Sequence, residues 1–272
     1  MSSETDAIAA ADRPATVATL RGDLETLGLA LGDVAIVHSS LSALGWVAGG
    51  PQAVVEALLA AVGPEGTLVM PAQSGQLSDP AGWANPPVPA DWVEEVRDGL
   101  PAYDPHLTPT RGMGAVVDCF RQHPHTHRGS HPALSFAAQG PKADAIVDPH
   151  PLAVGLSDDS PLGRLFEHDA KVVLLGVGHV HNTSLHLAEH RADWRGKTTT
   201  AAGAPMLVDG VRQWVTYTDL DRDEDDFEAI GGAFAAAGGE RRSPVGAGLG
   251  RLSDMRALVD FAVGWMETNR GS

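Results

Sequence analysis

The stretch from Val34 to Ala72, "VAIVHSSLSALGWVAGGPQAVVEALLAAVGPEGTLVMPA", decides the fold. It opens on a short β-branched run, residues 34–38, whose composition predicts a buried strand. A loop of small residues leads to Gly50. The segment "PQAVVEALLAAVG", opened by Pro51 and closed by Gly63, then predicts a helix. "GTLVMPA" reads as a second strand. Strand, loop, helix and strand in that order predict a parallel unit with a right-handed crossover, and with it an α/β fold.

Working outward, residues 14–29 place Val17, Leu20, Leu24 and Leu27 at helical spacing behind Pro14. Residues 1–13 are small and polar and read as a disordered tail, which leaves 14–272 as one domain. From 72 to about 110 the sequence has no periodicity and seven prolines, the signature of a functional loop. "GMGAVVDCFRQ" predicts a helix, "ALSFAAQ" a strand, "SPLGRLFE" a short helix and "KVVLLGVG" a strong buried strand. "APMLVDG" and "RQWVTYTD" predict a hairpin turning at Asp209-Gly210. Helices are expected near 225–237 and 254–268. The predicted architecture is a single α/β domain: a central, mostly parallel sheet flanked by helices, with a C-terminal hairpin and helices.

Composition narrows the function classes. The 272 residues carry 19 Lys and Arg against 35 Asp and Glu, a formal net charge of −16. Such a surface disfavours nucleic acid and anionic membrane and favours cationic partners, although solubility alone explains it as well. One cysteine, Cys119, excludes an internal disulfide. Lying among Val116, Val117 and Phe120, it reads as a buried structural thiol rather than an acyl carrier. Neither a secretory leader nor a membrane-spanning run is visible, so a cytoplasmic protein is expected. The sequence does not decide between monomer and dimer.

After the strand at "KVVLLGVG" comes "HVHNTSLHLAEH", residues 179–190, and two chemistries fit it. His186, Glu189 and His190 spell H-x-x-E-H, a zinc-hydrolase motif, with His179 and His181 as further ligands. Alternatively, His186 and Glu189, three apart on a helix, form a metal-free base and its orienting carboxylate. A strand would deliver that pair to the carboxyl edge of the sheet, where open α/β folds hold ligands.

Several separated segments point one way. "VHSSLSALGWVAGG", "YDPHLTPTRGMGAV", "HRGSHPALSFAAQG", "SPLGRLFEHDAKVVLLGVGHVHNTSLHLAEH" and "DLDRDEDDFEAIGGAF" occur in this order. Together, over about residues 15–268, they resemble the aminoglycoside 3-N-acetyltransferase family. The resemblance implies a family-specific acetyltransferase fold, distinct from the common small acetyltransferase fold. It implies acetyl-coenzyme A as co-substrate, a cationic aminoglycoside as acceptor and no metal. It also implies His186 as catalytic base, Glu189 as its carboxylate, and His38 at the start of the coenzyme loop near the thioester.

On this reading His38, Ser39, Ser40 and Leu41, together with Arg111, Gly112 and Met113 of "TRGMG" and Arg128 of "HRGSHP", are expected at coenzyme A. Small residues let the backbone approach an anion, and arginines supply charge. A polycationic acceptor calls for acids. The run 219–228 holds seven in ten residues, from which Glu224 and Asp225 are taken as substrate-facing. Asp79, Trp83, Tyr103 and Asp104 of the long loop are expected to close the other side.

Overall fold

The computed structural model describes residues 4–9, 11 and 13–270. Helix α1 (Glu4–Ala9) and α2 (Val17–Leu27) precede strand β1 (Val34–Ser39), helix α3 (Gly50–Val62) and strand β2 (Thr67–Pro71). Then come α4 (Val93–Gly99), α5 (Ala115–Phe120), β3 (His127–Arg128), β4 (Phe136–Gln139), α6 (Ala143–Val147) and α7 (Pro161–Glu167). The chain continues through β5 (Lys171–Leu175), α8 (Leu185–Arg191), β6 (Thr199–Val208), β7 (Val211–Leu220) and α9 (Phe227–Ala236). It closes with β8 (Glu240–Val245), β9 (Gly248–Asp254) and α10 (Met255–Asn269). The tail expected over 1–13 falls partly on residues 1–3, 10 and 12, outside the described residues. The remainder of it includes α1, where Glu4 accepts a hydrogen bond from Trp46 Nε1.

The central sheet has the order β3-β4-β2-β1-β5-β9-β8. β1 pairs in parallel with β2 on one side and β5 on the other, as the βαβ reading of Val34–Ala72 requires. Beyond this trio every pairing is antiparallel. Five strands, β1, β2, β3, β5 and β8, therefore run one way, with β4 and β9 reversed. "Mostly parallel" holds for direction, while the sheet as a whole is mixed. The β6–β7 hairpin stands apart as a two-stranded sheet. It turns at Asp209 (φ 50°) and Gly210 (φ 78°), both left-handed, as an Asp-Gly hairpin demands.

Strand alternation sorts the core into two layers. Val34, Ile36, Val69, Val172 and Leu174 face α6 to α10; Ala35, Val37, Leu68, Met70, Val173 and Leu175 face α2, α3 and α5. With both faces of the parallel strands covered, their sequences read as continuous apolar runs. The carboxyl ends of β1 and β5 lie side by side, with Ser39 opposite Leu175. Gly176 (φ 67°) lets the two following loops approach: a Cβ there would lie 2.4 Å from the Ala43 methyl.

Candidate active site

His38 sits one residue before the end of β1, and the chain leaving β5 folds over it. That segment makes a 3-10 turn, His179–His181, before entering α8. The turn is tied down by two carboxylates, the buried Glu240 and the exposed Glu228. His179 Nε2 lies 2.7 Å from Glu240 Oε2, and Glu228 Oε2 accepts from the His179 N–H at 2.7 Å. This anchoring presents the Thr183 backbone N–H to His38 Nε2 at 3.1 Å, with Thr183 Oγ1 at 3.0 Å. A backbone N–H only donates, so Nε2 accepts and the ring proton resides on Nδ1. Nδ1 is buried and has no hydrogen-bond partner in the protein. Burial, with His181, His179 and His186 close by, pulls the His38 pKa down to about 3, so the ring is neutral.

On α8, His186 and Glu189 share a face. His186 Nδ1 is 2.5 Å from Glu189 Oε2. The Glu189 side chain is fully buried, and its Oε1 accepts from Arg270 Nη1 at 2.7 Å and from the Asp223 N–H at 3.0 Å. Burial opposes its charge, but the bonds from His186, Arg270 and Asp223 prevail and hold the carboxyl below its ordinary value. The carboxylate thus keeps the His186 proton on Nδ1 and leaves Nε2 with a lone pair. Nε2 lies 3.8 Å from Glu224 Oε2.

His38 and His186 line one cavity of about 520 Å³, a usual size for a small-molecule site. Ser39, Ser40, Leu41, Gly112, Met113 and Glu224 line it too, so these expected site residues do come together.

Others do not reach it. Arg128, expected at coenzyme A, is buried and donates to Ser135 Oγ, Ser74 Oγ and the carbonyls of Ala72, Pro105 and Thr108. With every N–H engaged, it fastens the long loop to the sheet edge. Arg111 lies outside the lining, donating to Asn85 O with its guanidinium 6.0 Å from the Trp83 ring centroid. Asp79 is forked by Arg97, and Trp83 donates to Ser78. Tyr103 is buried with its hydroxyl on Gly129 O, and Asp104 caps the turn at His106 and Leu107. In the acidic run, Asp219 pairs with Arg222, Asp226 with Arg270, and Asp225 is exposed away from the lining. Cys119 also lies outside the lining, its thiol pKa raised by burial and by Glu56.

The zinc spelling finds its carboxylate engaged by three protein donors, and His190 Nε2 is buried without a partner. Among the described residues no three His, Cys, Asp or Glu converge as a ligand set. Sequence reasoning missed Thr183 and Arg270. Neither belongs to a local pattern: their partners lie 145 and 81 residues away.

An α/β scaffold here brings a carboxylate-oriented histidine and a neutral hydrogen-bond donor to one cavity, the make-up of an enzyme's active site. The chain belongs to the aminoglycoside 3-N-acetyltransferase family, whose model matches residues 36–267. It is 43% identical over 257 residues to the SPbeta prophage-derived aminoglycoside N(3')-acetyltransferase-like protein YokD of Bacillus subtilis (strain 168), covering 94% of each chain. The crystal structure of YokD superposes with a TM-score of 0.94 at 41% identity, over 97% of this chain and 98% of that one. Aminoglycoside N(3)-acetyltransferase IX of Micromonospora chalcea is 37% identical, over 93% of this chain and 94% of the relative. A solved structure of AAC-IIIb, binary with CoASH, matches at TM-score 0.85 and 34% identity, over 96% of this chain and 99% of that one. No helix among the described residues is long and apolar enough to cross a membrane.

Proposed function

We propose that this protein transfers an acetyl group from acetyl-coenzyme A to the 3-amino group of an aminoglycoside, inactivating the antibiotic, and that it does so in the cytoplasm. The observation that carries the mechanism is the His186–Glu189 pair at 2.5 Å, with Nε2 left as the free base on the cavity.

An aminoglycoside amine arrives as an ammonium and attacks only after losing a proton. That first proton goes to solvent; His186 Nε2 takes a second proton from the nitrogen as it bonds the acyl carbon, and Glu189 stabilises the imidazolium. Glu224 stands beside Nε2 and draws the cationic acceptor toward it. Coenzyme A supplies the acyl group on a thiol leaving group. Its fit rests on the small side chains of Ser39 and Ser40, on the Gly112–Gly114 segment, and on the buried, unpartnered His38 Nδ1. A neutral Nδ1–H donates to the acyl oxygen as negative charge grows there. His38 thus acts as a fixed dipole. The C–S bond of the thioester then breaks and the His186 proton passes to the departing sulfur, so that one proton ends on coenzyme A and one in solvent, and charge balances.

The test is thiol release from acetyl-coenzyme A, with and without an aminoglycoside, and mass and NMR analysis of the product. The proposal expects amine-dependent release and a single acetyl group on the 3-amino nitrogen. Release that ignores the aminoglycoside, or acetylation elsewhere, would refute it.

A further inference from the structure

Just past α10, Arg270 reaches back to the dyad. Nη1 donates to Glu189 Oε1 at 2.7 Å, while Nε and Nη2 fork onto the Asp226 carboxylate at 2.7 and 2.6 Å. Nη2 also donates to the Asp223 carbonyl at 2.6 Å, and the guanidinium lies 4.9 Å from the Trp194 ring centroid. The side chain is only 9% exposed. The segment it grips, 223–226, carries Glu224 on the cavity wall, and the Asp223 N–H completes the hydrogen bonding of Glu189. One cation therefore joins the carboxylate behind the base to the segment that presents a carboxylate in front of it.

We propose that Arg270 is a positioning residue for the transfer reaction: it fixes Glu189 against His186 and holds the 223–226 segment so that Glu224 faces the acceptor amine. This inference rests on the acetyl transfer proposed above. Two separable effects follow. Arg270 shares the charge of Glu189 with His186 and so weakens the dyad's hold on a proton. Its fork onto Asp226 sets where Glu224 stands, which matters to acceptor binding and not to coenzyme binding.

The charged and titratable groups around the dyad come from several elements. His38 belongs to β1, His181 to the 3-10 turn, Glu224 and Asp226 to the 223–226 segment, and His190 to α8 itself. Lys197 lies behind Glu189, with its amine on the carbonyls of His190 and Ala192. Arg270 is the cationic side chain among them that bonds the Glu189 carboxylate directly. An Arg fork is bidentate and planar, and lysine reproduces its charge but not its geometry.

The experiment compares pH profiles of kcat/KM, and KM for each substrate, in the wild type, R270K, R270M and D226N, with thermal unfolding alongside. In R270M the uncompensated Glu189 carboxylate holds the dyad proton to higher pH. Its acid limb moves up by about 0.5–1 unit, and KM for the aminoglycoside rises several-fold with KM for acetyl-coenzyme A unchanged. R270K restores the acid limb but not the aminoglycoside KM, and D226N raises that KM without moving the limb. A wild-type profile and wild-type KM values in R270M, with kcat lowered only by the folded fraction, overturn the proposal. If R270M does not fold, R270K and D226N decide: wild-type KM values in both overturn it. A wild-type protein that releases no thiol with any aminoglycoside defeats the acetyl-transfer reading and this inference with it. An active wild type with unmoved variants defeats this inference alone.

Discussion

At the residue scale, two histidines share the Nδ1–H tautomer but have opposite assignments because their protein partners occupy opposite ring nitrogens. His186 donates its Nδ1–H to Glu189, leaving Nε2 basic, whereas His38 accepts at Nε2 and keeps an Nδ1–H without a protein partner. Glu189→Gln tests the first assignment. A glutamine has one oxygen where the carboxylate serves His186, Arg270 and Asp223, and its amide favours the wrong His186 tautomer. We expect kcat to fall roughly 10²–10⁴-fold with little change in coenzyme affinity, as measured by steady-state kinetics. His38→Asn tests the second. Asparagine places an N–H near the former Nδ1 position, so it should retain more kcat than His38→Ala, whose loss is about 10²-fold or greater. Equal activity in the two variants would remove the donor role.

At the element scale, the site depends on how closely α9 meets the 3-10 turn at 179–181. A Cβ on Gly231 would lie 2.1 Å from the His179 ring, inside any tolerable contact. Gly231→Ala should therefore displace the turn that offers Thr183 to His38. It should cost about 1–3 kcal/mol in stability, as overpacking generally does, and lower kcat as well. Denaturant unfolding and kinetics on the same sample check both. Elements of this kind were unevenly legible. β1, β2 and β5 announced themselves as apolar runs because helices cover both faces, and the β6–β7 hairpin by alternation around Asp-Gly. The β8–β9 hairpin gave no such signal. β8 reads "ERRSPV", with charges and Pro244, the features by which an edge strand resists further pairing. β4 was legible as the strand in "ALSFAAQ", but its antiparallel direction was not, and β3, two residues long, was too short to leave a pattern.

Across the whole molecule, burial of neutral histidines makes acid the natural denaturant. Burial lowers the pKa of His38 and His150 to about 3 and of His131 and His190 to about 4, against about 6.5 in the unfolded chain. Below pH 6.5 the unfolded state therefore binds protons that the folded state refuses. Stability is full above that pH and falls as pH drops toward 4, by about 1.4 kcal/mol per pH unit for each proton taken up. Glu189 and Glu240, held below the ordinary carboxylate value, add to the loss at lower pH still. Denaturant titrations between pH 7.5 and 4.5 should show a slope worth more than one proton, and a flat profile would contradict the burial described. The same scale explains what the sequence could reveal of the site. His186 and Glu189 were legible because they lie three apart on one helix, and His38 because it ends a strand. Thr183 and Arg270 join the candidate site only when distant segments meet, and Arg128 looked available because its loop partners were invisible. The central claim is that His186 is the base for acetyl transfer, and the most direct measurement is amine-dependent thiol release by His186→Ala at saturating substrates. The account predicts a kcat roughly 10²–10⁴ below wild type, with acetyl-coenzyme A binding and thermal stability preserved; near-wild-type turnover would contradict it.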